Sequence, residues 1–251
     1  MGVILIKQPL HIRAKKGDIA SRVVIAGDPV RVEHLSTLLE NPRIVNTNRG
    51  FLTYTGLFKG IPITIATHGI GAPSAAIVIE ELIMLGAKII IRLGTAGSLI
   101  EKLDFGDIVI ATGAVYNVGS NAIGMYIPNT CMCTSPHPEV IYKMMKAFKE
   151  HGLKFTLGPV FSSDAFYAED PDFAKKWGSR GVVAVEMECA VLFSLGWLRR
   201  FKAGAVLLIS NSLAKRRHYM PTAEELKPRI LKLGKALLNA LIEINEDYEA
   251  Y

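Results

Sequence analysis

The stretch that decides the fold reads Ile89-Ile90-Ile91-Arg92-Leu93-Gly94-Thr95-Ala96-Gly97. Three consecutive isoleucines are typical of a strand that is buried on both faces of a sheet. Arg92 follows directly, where an unpaired buried cation would be unfavourable, and the two glycines after it predict a turn that contains the Thr95 hydroxyl. Ligands of open α/β sheets bind where strands end, so this stretch predicts an anion site, most simply for phosphate.

Predicted strands and helices alternate along most of the chain, which is typical of an α/β sandwich with a mainly parallel or mixed sheet. No linker of biased composition divides the sequence, so we expect one domain over residues 1–251: a three-layer α/β/α sandwich with a central mixed β-sheet. The predicted strands cover residues 22–26, 88–93, 107–115, 154–161, 182–185 and 203–210, with a hairpin at 51–67. Helices are predicted after Asp28 and over 73–86, 138–151, 189–200 and 224–243, and a long loop over 116–135.

The composition is that of an ordinary globular protein, with 50% hydrophobic and 21% charged residues. The net charge of +6 is scattered except at Lys215–His218, and no nucleic-acid motif accompanies it, which favours anionic substrates over nucleic acid. No apolar segment is long enough to predict a membrane span, so we expect a cytoplasmic protein. Cys131 and Cys133 lack further ligands at zinc-binding spacing, and whether they pair stays open.

Two further arginines are candidates for the same anion. Gly27-Asp28-Pro29-Val30-Arg31 follows the first strand and begins a helix, and a cation in a first helical turn is disfavoured unless an anion lies nearby. Arg49 stands in Asn48-Arg49-Gly50-Phe51, before the hairpin. Together with Arg92 these side chains have enough charge to neutralise a dianion.

A glycine loop at His68–Ser74 partly matches a dinucleotide-binding fingerprint. Its third glycine position is Ser74, and the next strand carries Arg92 where an acidic residue would bind ribose. NAD binding is therefore disfavoured, and an NADP-binding oxidoreductase stays open as a competing class. The P-loop motif of NTPases is absent from the sequence.

Two carboxylates flank a methionine where a strand passes into a helix, at Val185-Glu186-Met187-Glu188. A carboxylate near a helix N-terminus is electrostatically favourable, and it accepts hydrogen bonds from two hydroxyls of a ribose. Phe166 follows another predicted strand, in Phe161-Ser162-Ser163-Asp164-Ala165-Phe166-Tyr167, where an aromatic ring can stack on a planar base.

Six motifs occur in a fixed order: G-D-P-x-R, N-R-G-F, H-G-I-G-x-P-S, R-x-G-T-x-G, F-S-S-D-x-F-Y and V-E-M-E. Together they resemble the nucleoside phosphorylase family that contains the hexameric purine nucleoside, 5′-methylthioadenosine and uridine phosphorylases. The resemblance covers the chain from His11 to about Ala214. It implies reversible phosphorolysis of a nucleoside to ribose 1-phosphate and free base, with inorganic phosphate as co-substrate and no cofactor or metal.

The resemblance also implies roles for individual residues and a homohexamer built as a trimer of dimers. His11 and Arg49 are expected to reach the site of a neighbouring subunit, His11 at the 5′ side of the sugar. The implied phosphate ligands are Gly27, Arg31, Arg49, Arg92 and Thr95. The implied nucleoside contacts are His11, Phe166, Glu186, Met187, Glu188 and Asn211, with Arg92, Glu188 and Asn211 as the catalytic set.

Asn211 departs from the pattern that the purine branch of this family follows. That branch usually has an aspartate after the late apolar strand as proton donor to the purine, whereas an asparagine only donates a hydrogen bond. The uridine branch tends to have asparagine here, but its glutamine and arginine after the Phe-Tyr pair are missing from Ala168–Asp172. Purine nucleosides are favoured, with uridine, 5′-methylthioadenosine or a nucleoside-binding homologue of reduced activity as alternatives.

Overall fold

The isoleucine run forms a strand that is buried on both faces, as predicted. In the computed structural model, which describes residues 8–168, 170–216, 219 and 221–248, it begins strand β5 (Ile89–Ser98). Ile90 packs into one hydrophobic cluster, and Ile89 and Ile91 pack into a second cluster on the opposite face. Helices cover both clusters, so the sheet is the middle layer of three and the predicted sandwich is confirmed.

The described residues contain nine strands and seven α-helices. The other strands are β1 (Arg22–Ala26), β2 (Glu40–Asn46), β3 (Thr53–Phe58), β4 (Ile61–Thr67), β6 (Ile108–Val115), β7 (Thr156–Ser162), β8 (Ala184–Glu186) and β9 (Lys202–Ser212). The helices are α1 (Pro29–Ser36), α2 (Ala72–Met84), α3 (Ile123–Tyr126), α4 (Pro138–Glu150), α5 (Phe173–Gly178), α6 (Cys189–Arg199) and α7 (Ala223–Ile242).

The longer helices divide between the two faces of the sheet. Helices α2 and α6 pack against each other over the cluster that contains Ile90, and α1, α4 and α7 pack over the cluster that contains Ile89 and Ile91. Strand β9 follows the same alternation, since Ala205 lies in the first cluster and Val206 in the second. Apolar residues on both faces therefore fix β5 and β9 in the interior.

The sheet is mixed, and part of it closes into a ring. Strand β1 runs parallel to β4 and β5, whereas the β3–β4 hairpin is antiparallel. Strand β5 pairs with both β9 and β8, and β9, β6, β7 and β8 pair in succession, which completes the circuit. Because β8 pairs only with the last two residues of β5, the chain leaves β8 at Glu186 beside the carboxyl end of β5.

The predicted turn at residues 94–97 is wrong. Strand β5 continues through Gly94 to Ser98, paired with β9 along its length apart from an irregularity between Ala96 and Gly97. Arg92 is thus the fourth residue of a ten-residue strand. The ladder with β9 satisfies the backbone of the glycine-containing part, which removes the reason for a turn there. Asn211, expected just after the late strand, likewise lies within β9.

Three elements were not predicted. Strand β2 has almost no buried side chain and contains Pro42, so it lacks the alternation that marks a strand, and it lies at the sheet edge where proline is tolerated. Helix α3 lies inside the expected loop at 116–135, and α5 is only six residues long. Such short elements give too few turns for a helical pattern to be recognised.

Some residues that the sequence singled out lie outside the described ranges. They are Arg217 and His218 of the basic cluster, Glu169 after the Phe-Tyr pair, and residues 1–7 and 249–251 of the predicted domain. In the ranges that are described, no helix combines the length and apolar character needed to cross a membrane.

Candidate active site

Arg92 lies at the centre of a buried charged cluster. Its Nη2 donates to the Glu188 carboxylate and lies 3.6 Å from Oε2 of Glu186. Its Nε and Nη1 atoms are buried and have no hydrogen-bond partner among the described residues. Burial would lower the pKa of Arg92, but the charges of Glu188 and then Glu186 outweigh it and raise that pKa. A permanently charged guanidinium with unused donors therefore faces the site.

Gly94 makes room for this guanidinium. The Arg92 side chain lies along its own strand and covers Gly94, two residues further on. An added Cβ at Gly94 would therefore overlap Nη1 of Arg92. The glycine is required here for close approach and not for a turn, which explains why the sequence pattern was misinterpreted.

The two predicted carboxylates lie where β8 passes into α6. Oε2 of Glu186 accepts the backbone N–H groups of Glu188 and Cys189 at 2.8 and 2.9 Å, and its Oε1 accepts the Ser162 hydroxyl. Oε1 of Glu188 accepts the N–H of Gly71 at 2.7 Å. Both carboxylates are thus fixed by backbone donors before any ligand binds.

These carboxylates differ in their electrostatics. Burial raises the pKa of Glu186, although the charge of Arg92 acts in the opposite direction. Burial also opposes ionisation of Glu188, but the positive charge of Arg92 and the hydrogen bonds from Gly71 and Arg92 together outweigh it and lower the pKa of Glu188. Glu188 is therefore the ionised partner of Arg92, and its negative charge is available to polarise bound hydroxyls.

Arg31 adds a second cation beside Arg92. It is buried in the first turn of α1, and its Nη2 donates to the Thr95 hydroxyl at 3.5 Å. Burial and then the charge of Arg92 lower the pKa of Arg31 to about 10, so it stays charged at neutral pH. Gly27, at the end of β1, has no room for a Cβ because the carbonyl oxygen of Gly69 would lie 2.9 Å away. Two buried guanidiniums therefore lie close together, an arrangement that favours an anion.

His68 belongs to the site but was not predicted as a site residue. It is fully buried after β4, and both ring nitrogens lack a hydrogen-bond partner among the described residues. Its Cε1 lies 3.5 Å from where a Cβ of Gly27 would stand. Burial lowers the pKa of His68 to about 4, so the ring is neutral near pH 7. The glycine loop in which it stands was the available signal.

Asn211 lies opposite Gly97 in the β5–β9 ladder. It is half-buried, and its Oδ1 accepts from the Ser210 hydroxyl at 3.3 Å. Gly97 leaves the space beside Asn211, because an added Cβ would lie 3.1 Å from that oxygen. Asn211 therefore lies on β9, the parallel neighbour of the strand that carries Arg92 and Thr95, and it lies beyond them along the chain direction.

The predicted aromatic contact lies on an exposed segment. Phe166 is 51% exposed. It follows β7, whose last residue, Ser162, pairs with Glu186. Its ring packs edge-on against Tyr167, with centroids 5.1 Å apart. Met187 is partly buried between the two carboxylates. The segment thus offers unburied aromatic surface shortly after the strand that pairs with Glu186, and no contact among the described residues joins it to Arg92.

His11 and Arg49 lie together but apart from this cluster. Nδ2 of Asn48 donates to the carbonyl oxygen of His11 at 2.9 Å, and the His11 and Phe51 rings meet edge-on at 6.4 Å. Arg49 is exposed and has a left-handed backbone with φ of 55°. In the described part of the chain, no hydrogen bond or ion pair connects either residue with Arg92. We call His11, Asn48, Arg49 and Phe51 the rim patch.

The described ranges contain neither a metal-binding cluster nor a disulfide. No group of three or more His, Cys, Asp or Glu side chains there has an arrangement that could bind a metal ion. Cys131 and Cys133 are exposed free thiols, and Sγ of Cys133 lies 3.2 Å from Oγ of Ser135. The cysteine pair therefore has no part in the charged cluster.

Comparison with known proteins places this geometry in a family. The family model described as "Phosphorylase superfamily" matches residues 21–244. A purine nucleoside phosphorylase of DeoD type from Exiguobacterium sibiricum is 33% identical over 241 residues, which is 94% of this chain and 99% of that protein. A guanosine phosphorylase from Halorubrum lacusprofundi is 32% identical over 82% of this chain and 84% of its own length.

A solved structure extends the similarity to the whole fold. The crystal structure of purine nucleoside phosphorylase from Toxoplasma gondii, in complex with immucillin-H, superposes with a TM-score of 0.84 at 29% identity. The match covers 97% of this chain and 99% of that one. The ring of strands and the two helical layers are therefore shared over nearly the full length.

Proposed function

The chain belongs to the phosphorylase superfamily, and from that membership we propose that it is a purine nucleoside phosphorylase. The reaction is phosphate-dependent cleavage of the N-glycosidic bond of purine ribonucleosides or deoxyribonucleosides, which gives the pentose 1-phosphate and the free base. It is a pentosyltransferase reaction with phosphate as co-substrate and no other cofactor. The names of the DeoD-type and guanosine phosphorylase relatives support the choice of a purine base.

The observation that carries this proposal is the unsatisfied guanidinium of Arg92. Its buried Nε and Nη1 donors have no partner in the part of the chain that the structure describes, and Arg31 adds a second buried cation near the Thr95 hydroxyl. Burying unpaired donors is costly unless a ligand completes them. A phosphate dianion meets that requirement, because it accepts several charge-assisted hydrogen bonds at once. Gly27 supports the site by letting the backbone approach closely.

The carboxylates are suited to the sugar. Glu188 accepts the 2′ and 3′ hydroxyls, Glu186 lies beside it, and Met187 between them contacts the ring of the sugar. As the bond from C1′ to the base nitrogen breaks, its electrons leave with the base and positive charge develops on the sugar. Phosphate, positioned by the arginines, forms the new C1′–O bond, and the ionised Glu188 stabilises the developing charge.

This chain differs from the usual purine pattern at the residue expected to face the departing base, where Asn211 stands in place of an acid. Asn211 provides an amide that donates to N7 or O6 of a purine, and Phe166 stacks on the ring. An amide stabilises negative charge on the base without transferring a proton, which suits 6-oxopurines such as hypoxanthine and guanine, and the departing anion then takes its proton from water. Uridine and 5′-methylthioadenosine are the alternatives that the first experiment separates.

The rim patch completes the site from a second copy of the chain. His11 and Arg49 share one exposed surface, and Arg49 keeps a left-handed backbone that a non-glycine residue rarely adopts. Such strain in an exposed arginine is consistent with a role in binding. We propose a homohexamer of three dimers, acting in cytoplasmic purine salvage, with residues 1–251 as one domain.

The experiment is release of free base from inosine, guanosine, adenosine, 5′-methylthioadenosine and uridine, each with and without phosphate. Phosphate-dependent release with the 6-oxopurine nucleosides fastest is the expected result. Preferred cleavage of uridine or 5′-methylthioadenosine would replace the purine assignment. Tight nucleoside binding without release from any of the five would identify a binding homologue instead.

A further inference from the structure

Glu81 holds the segment that carries His11. It lies on α2, is only 6% exposed, and has no role in the charged cluster around Arg92. Its carboxylate accepts the backbone N–H groups of Leu10, His11 and Ile12 at 2.6–3.1 Å. It also accepts from the His11 ring, with Nδ1 2.7 Å from Oε1. One buried side chain thus fixes both the backbone and the imidazole of the rim patch.

This contact decides which ring nitrogen of His11 carries the proton. Burial raises the pKa of Glu81, but the hydrogen bonds, that from Ile12 first, outweigh it and lower the pKa. Glu81 is therefore ionised near neutral pH, and an ionised carboxylate only accepts hydrogen bonds. Nδ1 of His11 must then be the donor. In the neutral ring, Nε2 is left with its lone pair and acts as an acceptor.

The rest of the rim patch restricts how His11 can turn. The Asn48 side chain holds the His11 carbonyl oxygen at 2.9 Å, and the Phe51 ring lies edge-on to the imidazole. The His11 side chain remains 25% exposed, so part of the ring faces outward from the chain. The result is a partly exposed imidazole on an ordered segment, with Nε2 as its acceptor.

We propose that Glu81 is a positioning residue that makes His11 an acceptor for the 5′-hydroxyl of the nucleoside, and so selects 5′-hydroxy over 5′-deoxy and 5′-methylthio nucleosides. This inference rests on the proposed function and on the proposed role of His11. A 5′-hydroxyl donates a hydrogen bond to Nε2, whereas a methyl or methylthio group has no proton to donate. The opposite tautomer, with its proton on Nε2, would not require a donor from the substrate.

The test compares kcat/KM for inosine and 5′-deoxyinosine in the full-length enzyme. We expect the wild type to prefer inosine by about tenfold, the value of one neutral hydrogen bond. Glu81→Gln and His11→Ala should each reduce that preference to about one to two, mainly by slowing inosine. The double variant should match His11→Ala, because Glu81 acts through His11. Glu80→Gln, the neighbouring acid on α2 that pairs with Arg199, is the matched control and should keep the full preference.

The outcomes separate this inference from the proposed function. A wild type that cleaves inosine but shows no preference over 5′-deoxyinosine overturns the inference alone, and this measurement needs no variant to fold. Full preference retained in His11→Ala, or in a folded Glu81→Gln enzyme, also overturns it. A wild type that releases base from neither nucleoside overturns both the proposed function and this inference.

Discussion

The charged cluster around Arg92 and the rim patch around Arg49 place arginine in opposite environments. Arg92 is buried, paired with Glu188 and packed against Gly94, whereas Arg49 is exposed and joined to no acidic partner in the described residues. The first region is organised by contacts within one chain. The second presents an ordered but open surface. The difference agrees with the proposed assembly, in which one chain supplies the buried charges of a site and a second chain contributes its rim patch.

The largest effect should come from breaking the buried cluster at its centre. Arg92→Ala removes the unsatisfied donors and the partner of Glu188, and we expect kcat/KM for phosphate to fall by about 10³-fold or more. The measurement is phosphorolysis of inosine across a phosphate titration. Arg180→Ala removes an exposed arginine that stacks on Trp177 and should leave kinetics unchanged. Wild-type turnover of Arg92→Ala at saturating phosphate would disprove the phosphate assignment.

Sequence alone gave most of the fold because the interior strands are apolar on both faces. The strand predicted from Ile89–Ile91 is confirmed. The edge strand β2 was not predicted, because its side chains face solvent and carry no periodic signal. The turn expected at Gly94 was wrong for an instructive reason. A glycine that accommodates a neighbouring side chain has the same sequence signature as a glycine that turns the chain.

The sequence identified the charged residues of the site better than it identified the residues that hold them in position. Arg31, Arg92 and Glu188 were predicted from the sequence together with the uncharged Thr95, and in the fold Arg31 contacts Thr95 and Arg92 contacts Glu188. Their supports were missed, because such roles depend on contacts between distant parts of the chain. Glu81 and His11 are 70 residues apart in sequence, and the N–H of Gly71 reaches Glu188 across 117.

A second, smaller effect should appear in the pH dependence of folding stability, and it tests the buried region. The His68 ring has its pKa lowered to about 4 by burial, whereas an unfolded histidine titrates near 6.5. Between these values the unfolded chain binds a proton that the folded chain does not, so stability falls as pH decreases from 6.5 to 4. The shift corresponds to roughly 3 kcal/mol lost across that window.

Urea unfolding at pH 7.5 and pH 4.2 would measure this loss. His68→Asn should lose less stability than the wild type between the two pH values, by roughly 2 to 3 kcal/mol. His151→Asn is the matched control, because His151 is only partly buried and lies between α4 and α7, away from the site. Equal pH dependence of the wild type and His68→Asn would show that His68 is not held neutral by burial.

The smallest effect should arise at the rim patch, where Arg49→Gly tests the proposed contribution of a second chain. Glycine adopts the left-handed backbone of Arg49 without strain, so the substitution removes charge while keeping the local conformation. We expect KM for phosphate to rise by about tenfold, as for one lost charge-assisted contact, with kcat little changed and no loss of thermal stability. Phosphate titrations and thermal unfolding of the same preparations provide both numbers.

Arg43→Ala provides the control for Arg49→Gly, because Arg43 is also an exposed arginine before the hairpin but pairs with Asp18. An equal rise in KM for phosphate in both variants would indicate general loss of surface charge instead of a specific contact.

The two arginine regions also predict what happens when two variants are mixed. Inactive Arg92→Ala and impaired Arg49→Gly chains, once exchanged into mixed dimers, should regain one site with both arginines intact if Arg49 acts across the interface. Activity no greater than the sum of the separate variants would instead assign Arg49 to its own chain, and the rim patch would lose its distinction from the buried cluster.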